Sequence, residues 1–342
     1  MEDIARALRL SKMTVSRALA NRGNVAPETR RRVLQAAHQL NYHFNSIGRR
    51  LKTNRTGMLG VVTPLHSLSG TFYFTQVLRG IQDALSGSDY HLAYYDRDKF
   101  QDGKECARLC REKRVDGLIV IAPHRKDRLV RTLAGLDVPL IVVGSSGKDM
   151  NINSVDVDNY AGAAAMVRHL IDLGHRRIAF IRGPRQLSDA EQREQAFRDV
   201  MAERGYRIEP EWVLPGEYET RTAFHSTLKL LEASPRPTAI FAACDRMAMG
   251  VIDAAAIRKI SVPDEVSVAG FDDSIESRQV EPLLTTVRQP MSRIGFRAAQ
   301  HLVKLLAEPE ETPVIQEKLK PRLVLRESTK PPLTDGATGE RP

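Results

Sequence analysis

The sequence predicts an α/β protein, in which a two-lobed core of parallel sheets covered by helices follows a short all-α unit. Three observations predict it. Excess positive charge is confined to one end of the chain, residues 1–43 carry apolar patterning of helical period only, and from residue 56 strand-length apolar runs alternate with amphipathic helices.

The charge is the sharpest of the three. Of 342 residues, the first 55 hold twelve Lys/Arg and three Asp/Glu (Glu2, Asp3 and Glu28), which is the whole formal net charge of +9. The rest of the chain holds 39 basic and 39 acidic residues. A basic block on a neutral body suits a polyanion, because counterions released on contact drive such binding.

Within that block, Ile4, Ala5 and Leu8 recur at helical spacing until Arg9-Leu10-Ser11 interrupts them. A second helix runs from Lys12 to Ala20, with Val15, Ala18 and Leu19 facing inward. Lys12, Met13, Ser16 and Arg17 face outward, short or basic groups that reach base edges and phosphates. Pro27 suits the first position of a third helix, with Glu28 at the positive end of its dipole. Val33, Ala36, Ala37 and Leu40 give that helix a buried stripe.

Beyond residue 56, the expected strands are 58–62, 91–95, 117–121, 140–143, 154–157, 177–181, 239–242, 266–270 and 285–288. Helical stretches lie between them, such as 74–85 with Phe74, Val77, Leu78, Ile81 and Leu85 on one face. These strands are too many for one small sheet, so two lobes follow. In open parallel sheets, ligands sit beyond the carboxyl ends of the strands. That rule selects residues 63–74, Ser145, Arg182-Gly183, Asp245 and Asp272.

Several function classes are excluded. The three cysteines (Cys106, Cys110 and Cys244) are odd in number and form no C-x-x-C pair, as expected of thiols in a reducing cytoplasm. Cys106 and Cys110, four apart on a helix, read as buried neighbours rather than metal ligands. No apolar run reaches the ~18 residues of a membrane span. Glu2 and Asp3 without an apolar h-region do not form a signal peptide, so a cytoplasmic location is expected. No phosphate-cradling, dinucleotide, zinc-protease or nucleophile-elbow motif occurs, so neither an enzyme, nor a cofactor, nor a metal is expected. His175, in a helix-to-strand turn, is expected to make structural hydrogen bonds. A solute-binding protein without a regulatory role is the alternative, and residues 1–55 argue against it.

The run Asp3-Ile4-Ala5, then SKMTVSRAL over 11–19, Pro27-Glu28-Thr29-Arg30 and Leu40-Asn41-Tyr42 resembles the lactose-repressor (LacI/GalR) family of transcription regulators. The resemblance implies a helix-turn-helix DNA-binding domain at 1–43 and a hinge helix or linker at 44–55. A type I periplasmic-binding-protein-like core would follow at 56–328, with a flexible tail at 329–342. Its N-lobe would comprise about 56–155 and 285–318 and its C-lobe about 156–284 and 319–328, with crossings near 156, 285 and 318.

By resemblance, Lys12 and Met13 take base-reading positions and Arg17 a base- or phosphate-contacting one, while Thr14, Ser16 and Asn21 position the backbone. In the hinge, Leu51 matches the wedge that kinks the minor groove, and Arg49, Arg50 and Lys52 lie near phosphates. The sequence departs from the family at Arg9, in place of a turn glycine, and at Ala26, in place of a Ser/Thr cap.

For the effector, Tyr73 and Phe74 match the family's aromatic pair, Arg193 its ligand-clamping arginine, Tyr218 a stacking aromatic and Asp272 the acid that takes ligand hydroxyls. Ser145, Asp245 and Met291 complete the candidate set. Phe74 equally suits the core and Asp245 a helix cap. Gly144-Ser145 replaces a frequent Asp, Cys244 a frequent Asn, and Ala196 the glycine after Arg193. The partners implied are a pseudo-palindromic double-stranded operator, a sugar or sugar derivative (neutral or anionic) and a second copy of the chain. The tail has no heptad, so a homodimer rather than a tetramer is expected.

Overall fold

A computed structural model describes residues 1–19, 25–40, 42, 55–64, 71–100, 102–125, 127–136, 138–144, 151–309 and 313–333. The chain divides into two units, Met1–Thr56 and Gly57–Pro342.

In the first unit, α1 (Glu2–Leu8), α2 (Lys12–Leu19) and α3 (Pro27–Gln39) bury Ile4, Ala5, Val15, Ala18, Val33, Ala36 and Ala37 together. The turn after α1 is made by Arg9 at φ 54, ψ 42, a left-handed conformation that glycine adopts without penalty. Ser11 caps α2, its Oγ accepting from the Thr14 N–H at 3.0 Å. Ala26 gives α3 no side-chain cap, and Pro27 takes the first helical position as expected. Leu40 departs from expectation: α3 ends at Gln39, so Leu40 lies past the buried stripe and is 50% exposed. Tyr42 packs against this core instead.

The second unit holds two sheets. In the first lobe, β1 (Met58–Thr63), β2 (His91–Asp96), β3 (Gly117–Ile121), β4 (Leu140–Val143), β5 (Ser154–Val157) and β11 (Gln316–Leu319) form a parallel sheet in the order β11-β5-β4-β3-β1-β2. Both faces of the inner strands β1, β3 and β4 are covered, which is why these read as near-continuous apolar runs. Leu59, Val61, Ile119, Ile121, Ile141 and Val143 face α4 (Phe72–Leu85) and α11 (Met291–Ala307). Val62, Leu118, Val120, Leu140 and Val142 face α5 (Gly103–Arg111) and α6 (Arg128–Ala134). Helices α4 and α11 cross in close contact at Gly80 and Gly295. A Cβ there would lie 1.7 Å from the Ser292 carbonyl oxygen and 1.9 Å from that of Val77, respectively.

The second lobe has β6 (Ile178–Arg182), β7 (Val213–Pro215), β8 (Ala239–Ala242) and β9 (Ser267–Ala269) in the parallel order β7-β6-β8-β9. Helices α7 (Asn159–Asp172), α8 (Ser188–Glu203), α9 (Thr220–Leu230) and α10 (Asp245–Ile257) accompany it. Phe180 stacks on Phe197 at 5.1 Å and tilts against Phe241 at 5.3 Å in the centre of its core.

Two boundaries differ from the sequence expectation. Strand β10 (Thr286–Arg288) lies in the stretch expected in the first lobe, but bridges Ala269↔Thr285 and Asp272↔Arg288 place it beside β9 in the second. It pairs antiparallel with β12 (Arg322–Val324), so the changes of lobe follow β5, β10 and β11. Burial decides this: Val287 belongs to the second lobe's core. Thr329 and Lys330 hydrogen-bond to His169, His175 and Ser267, so the second lobe extends past residue 328. Among the described residues, no helix is long and apolar enough to cross a membrane.

Candidate functional site

Arg193, on the inner face of α8, is the buried centre of a polar cluster at the carboxyl ends of the second lobe's strands. Its Nε and Nη2 both donate to Asn159 Oδ1 (3.0 and 2.8 Å), and its Nη1 donates to the Ala243 carbonyl at 2.6 Å. The Asp189 and Asp272 carboxylates lie 3.6 and 4.0 Å from the guanidinium. Its Cζ sits 3.9 Å from the centroid of the Phe271 ring and 5.9 Å from that of Tyr218. Burial works to lower the Arg193 pKa. The Tyr218 phenol and the two carboxylates more than offset it, so the group is held charged.

Tyr218 and Asp272 are both presented by strained backbone. Tyr218 lies at φ 57 and Asp272 at φ 134, conformations that L side chains adopt only where the surroundings enforce them. The Tyr218 hydroxyl donates to Asp189 Oδ2 at 2.7 Å, and Gln289 Nε2 donates to Asp272 Oδ1 at 2.6 Å. A Cβ on Gly183 would meet the Tyr218 ring at 2.5 Å, so Arg182-Gly183 bounds that side chain without contributing one of its own. Burial pushes the Asp272 carboxyl up, against the pull of Arg193.

The first lobe meets this cluster with Tyr73. Its buried hydroxyl has no hydrogen-bond partner among the described residues, and burial followed by the Asp156, Asp189 and Asp272 carboxylates raises its pKa well above the ordinary value. Tyr73 explains Gly144, which has φ +76 and on which a Cβ would lie 2.7 Å from that hydroxyl. The phenol fills the space that an aspartate at 144 would need. Asp156 is half satisfied: its Oδ1 accepts from the Val157 N–H at 2.8 Å, while its buried Oδ2 has no partner among the described residues, and burial with the Asp189 charge pushes its pKa up to about 7. At the rim, Arg125 pairs with Glu191, and the Arg125 N–H donates to the Gln186 carbonyl at 2.7 Å.

The other sequence candidates divide. Phe74 of α4 and Met291 of α11 are buried in the first lobe's core. Asp245 has both oxygens taken by the chain, from Thr286 Oγ1 at 2.5 Å and the Ser274 N–H at 2.7 Å, which ties α10 to β10. Ser145 lies outside the described residues. His175 is buried, with Nδ1 2.9 Å from Thr238 Oγ1 and Nε2 2.9 Å from the Lys330 carbonyl oxygen. Burial lowers its pKa to about 4. Cys106 and Cys110 share α5, and burial raises their pKa values to about 12 and about 11, so both are inert thiols. Sequence reasoning missed Asn159, Asp189, Asp156 and Arg125. Asn159 and Asp189 lie within first helical turns after strands β5 and β6, and extending the strand-end rule by one turn would have found both.

In the first unit, Lys12, Met13 and Arg17 are exposed on α2, and Thr14 and Ser16 are half-buried. The Thr14 hydroxyl is 2.9 Å from Ser11 Oγ, and Lys12 pairs with Glu2 of α1. Asn21 and the hinge candidates Arg49, Arg50, Leu51 and Lys52 lie outside the described residues.

Residues 1–45 match bacterial regulatory proteins of the lacI family, and residues 167–329 match a periplasmic binding protein-like domain. Catabolite control protein A of Priestia megaterium is 33% identical over 332 residues, spanning 96% of this chain and 98% of that one. The chain belongs to the lacI family. Solved lacI-family structures share its fold. A lac repressor dimer bound to operator and the anti-inducer ONPF superposes with a TM-score of 0.80 at 26% identity, over 96% of this chain and 98% of that one. The complex of the transcriptional regulator CelR with cellobiose gives a TM-score of 0.72 at 28% identity, over 95% and 98%. As a lacI-family member, the chain is a DNA-binding transcription regulator, and not an enzyme.

Proposed function

We propose that this regulator is a cytoplasmic repressor. It binds a pseudo-palindromic operator as a homodimer, and its grip on DNA is set by a sugar or sugar derivative held between the two lobes. The observation that carries the effector site is the cluster of buried Arg193 with Asp189, Asp272 and Tyr218, near which the Tyr73 hydroxyl and Asp156 Oδ2 have no hydrogen-bond partner among the described residues. Aromatic faces suit the apolar face of a sugar ring, and carboxylates and a phenol suit its hydroxyl groups. Cellobiose, held in the complex of the structural neighbour CelR, supports this class.

An effector and an operator that prefer different angles between the lobes are linked: the effector weakens operator binding by the same factor by which the operator weakens effector binding. Two copies are required because one three-helix unit reads only a half-site. The test pairs a thermal-shift screen of sugars, sugar acids and sugar phosphates with fluorescence anisotropy on operator DNA. A compound that raises the melting temperature should also change DNA affinity, and Arg193→Ala and Asp272→Ala should abolish both responses. Retained responses in both variants would place the site elsewhere.

A further inference from the structure

We propose that Met13 reads a thymine methyl group in each half of the operator. The proposal deepens the reading of α2 as the helix that enters the major groove and rests on it. Met13 is the second residue of α2 and is 62% exposed, while Val15 and Ala18 of the same helix are buried. Its exposed neighbours on α2 are Lys12 and Arg17, within the segment that carries the whole net charge of the chain. An apolar side chain thus stands among cations, on a surface built for a polyanion.

The chemistry of the side chain narrows what it can recognise. A thioether donates no hydrogen bond and accepts only weakly, so it cannot match the polar groups of a base edge. Seen from the major groove, thymine alone presents an apolar group, its C5 methyl. Over cytosine the same side chain would strip water from the N4 amino group and leave that donor unpaired. Over adenine or guanine it would do so to N6 or to O6 and N7. Leaving such a group unpaired is more unfavourable than simply lacking an attraction. Lys12 and Arg17 do not share this limit. The guanidinium of Arg17, one helical turn beyond Met13, offers the bidentate fork that matches guanine, and Lys12 offers a charge that Glu2 holds in the absence of DNA. Met13 is therefore the member of this face whose preference follows from shape and hydrophobicity alone.

The full-length protein first selects its operator from a random-sequence DNA library. Each thymine of that operator is then replaced in turn by deoxyuridine, which removes the methyl group and nothing else, and affinity is read by fluorescence anisotropy at fixed salt. One symmetric pair of positions should weaken wild-type binding about fourfold per half-site, the factor that one buried methyl group is worth. Met13→Ala should still bind, but with no difference between thymine and uracil there. Met13→Gln should shift the base selected at that position to adenine, whose N6 and N7 pair with an amide. Two results would overturn the proposal: no uracil penalty that vanishes in Met13→Ala, or an unchanged base preference in Met13→Gln. Failure of the wild-type chain to enrich any sequence would instead overturn the regulator reading beneath it.

Discussion

Arg125, just past β3, and Glu191, in the first turn of α8, form an ion pair that fastens the first lobe to the second. It acts with a backbone bond, since the Arg125 N–H reaches the Gln186 carbonyl at 2.7 Å. Both side chains are nearly half exposed, so solvent screens their attraction to about 0–1 kcal/mol. The backbone bond survives removal of the side chain. Arg125→Ala is therefore predicted to weaken effector binding by no more than about fivefold, through faster dissociation. Stopped-flow measurement of the off-rate checks this, and a hundredfold loss would mean that Arg125 touches the effector itself.

The Arg193 fork depends on a residue that carries no charge. Asn159 Oδ1 accepts from both Nε and Nη2, and the pair is buried. Asn159→Ala would leave two donors of a buried cation without partners, a loss of about 2–3 kcal/mol. We predict lower stability in urea unfolding together with weaker effector binding. Asn159→Asp, which keeps an acceptor at that place, should recover part of both. Wild-type stability in Asn159→Ala would show that water or another group satisfies the guanidinium.

His175 makes stability depend on pH. Its folded pKa of about 4 lies below the unfolded value of about 6.5, so between these limits the unfolded chain takes up a proton that the folded chain refuses. The contribution is therefore complete above pH ~6.5 and is lost as pH falls towards 4, on the order of 3 kcal/mol in all. Unfolding midpoints of wild type and His175→Gln, measured from pH 7.5 down to 4.5 (a range set by those limits), should converge as the pH drops. Parallel curves would mean that the imidazole titrates alike in the folded and unfolded chain.

The elements legible in the sequence were those with a strong period or a continuous apolar run. Strands β3, β4, β5 and β8 fall at their expected bounds because both of their faces are buried. The missed strands lack that signal: β7 reads Val-Leu-Pro, β11 is the polar edge Gln-Glu-Lys-Leu, and β12 has three residues. The site was legible where a side chain follows a strand directly, as with Asp272. It was not legible where packing decides, as with Phe74 turning into the core, or where Tyr73 requires a glycine at 144. The strain at Tyr218 and Asp272 has no sequence signature at all.

Two departures from the family pattern leave the first unit less stable than its sequence allows, and both can be reversed. Arg9 closes α1 in the left-handed region at φ 54, with the Leu10 N–H donating to the Ala5 carbonyl at 2.9 Å. A side chain there costs about 1–2 kcal/mol, and glycine returns part of the gain through the freedom of its unfolded state. Arg9→Gly should therefore stabilise the unit by about 1 kcal/mol net. Ala26 leaves the first amides of α3 without a side-chain acceptor, and Ala26→Ser should add about 1 kcal/mol more. The two sites share no hydrogen bond, so their effects should add. Amide hydrogen exchange of the full-length chain reads the opening of this unit apart from the core. Protection across α1 and α3 should rise about fivefold for each substitution, with the core unchanged. An unchanged rate in Arg9→Gly would mean that the arginine's own contacts offset its strained backbone.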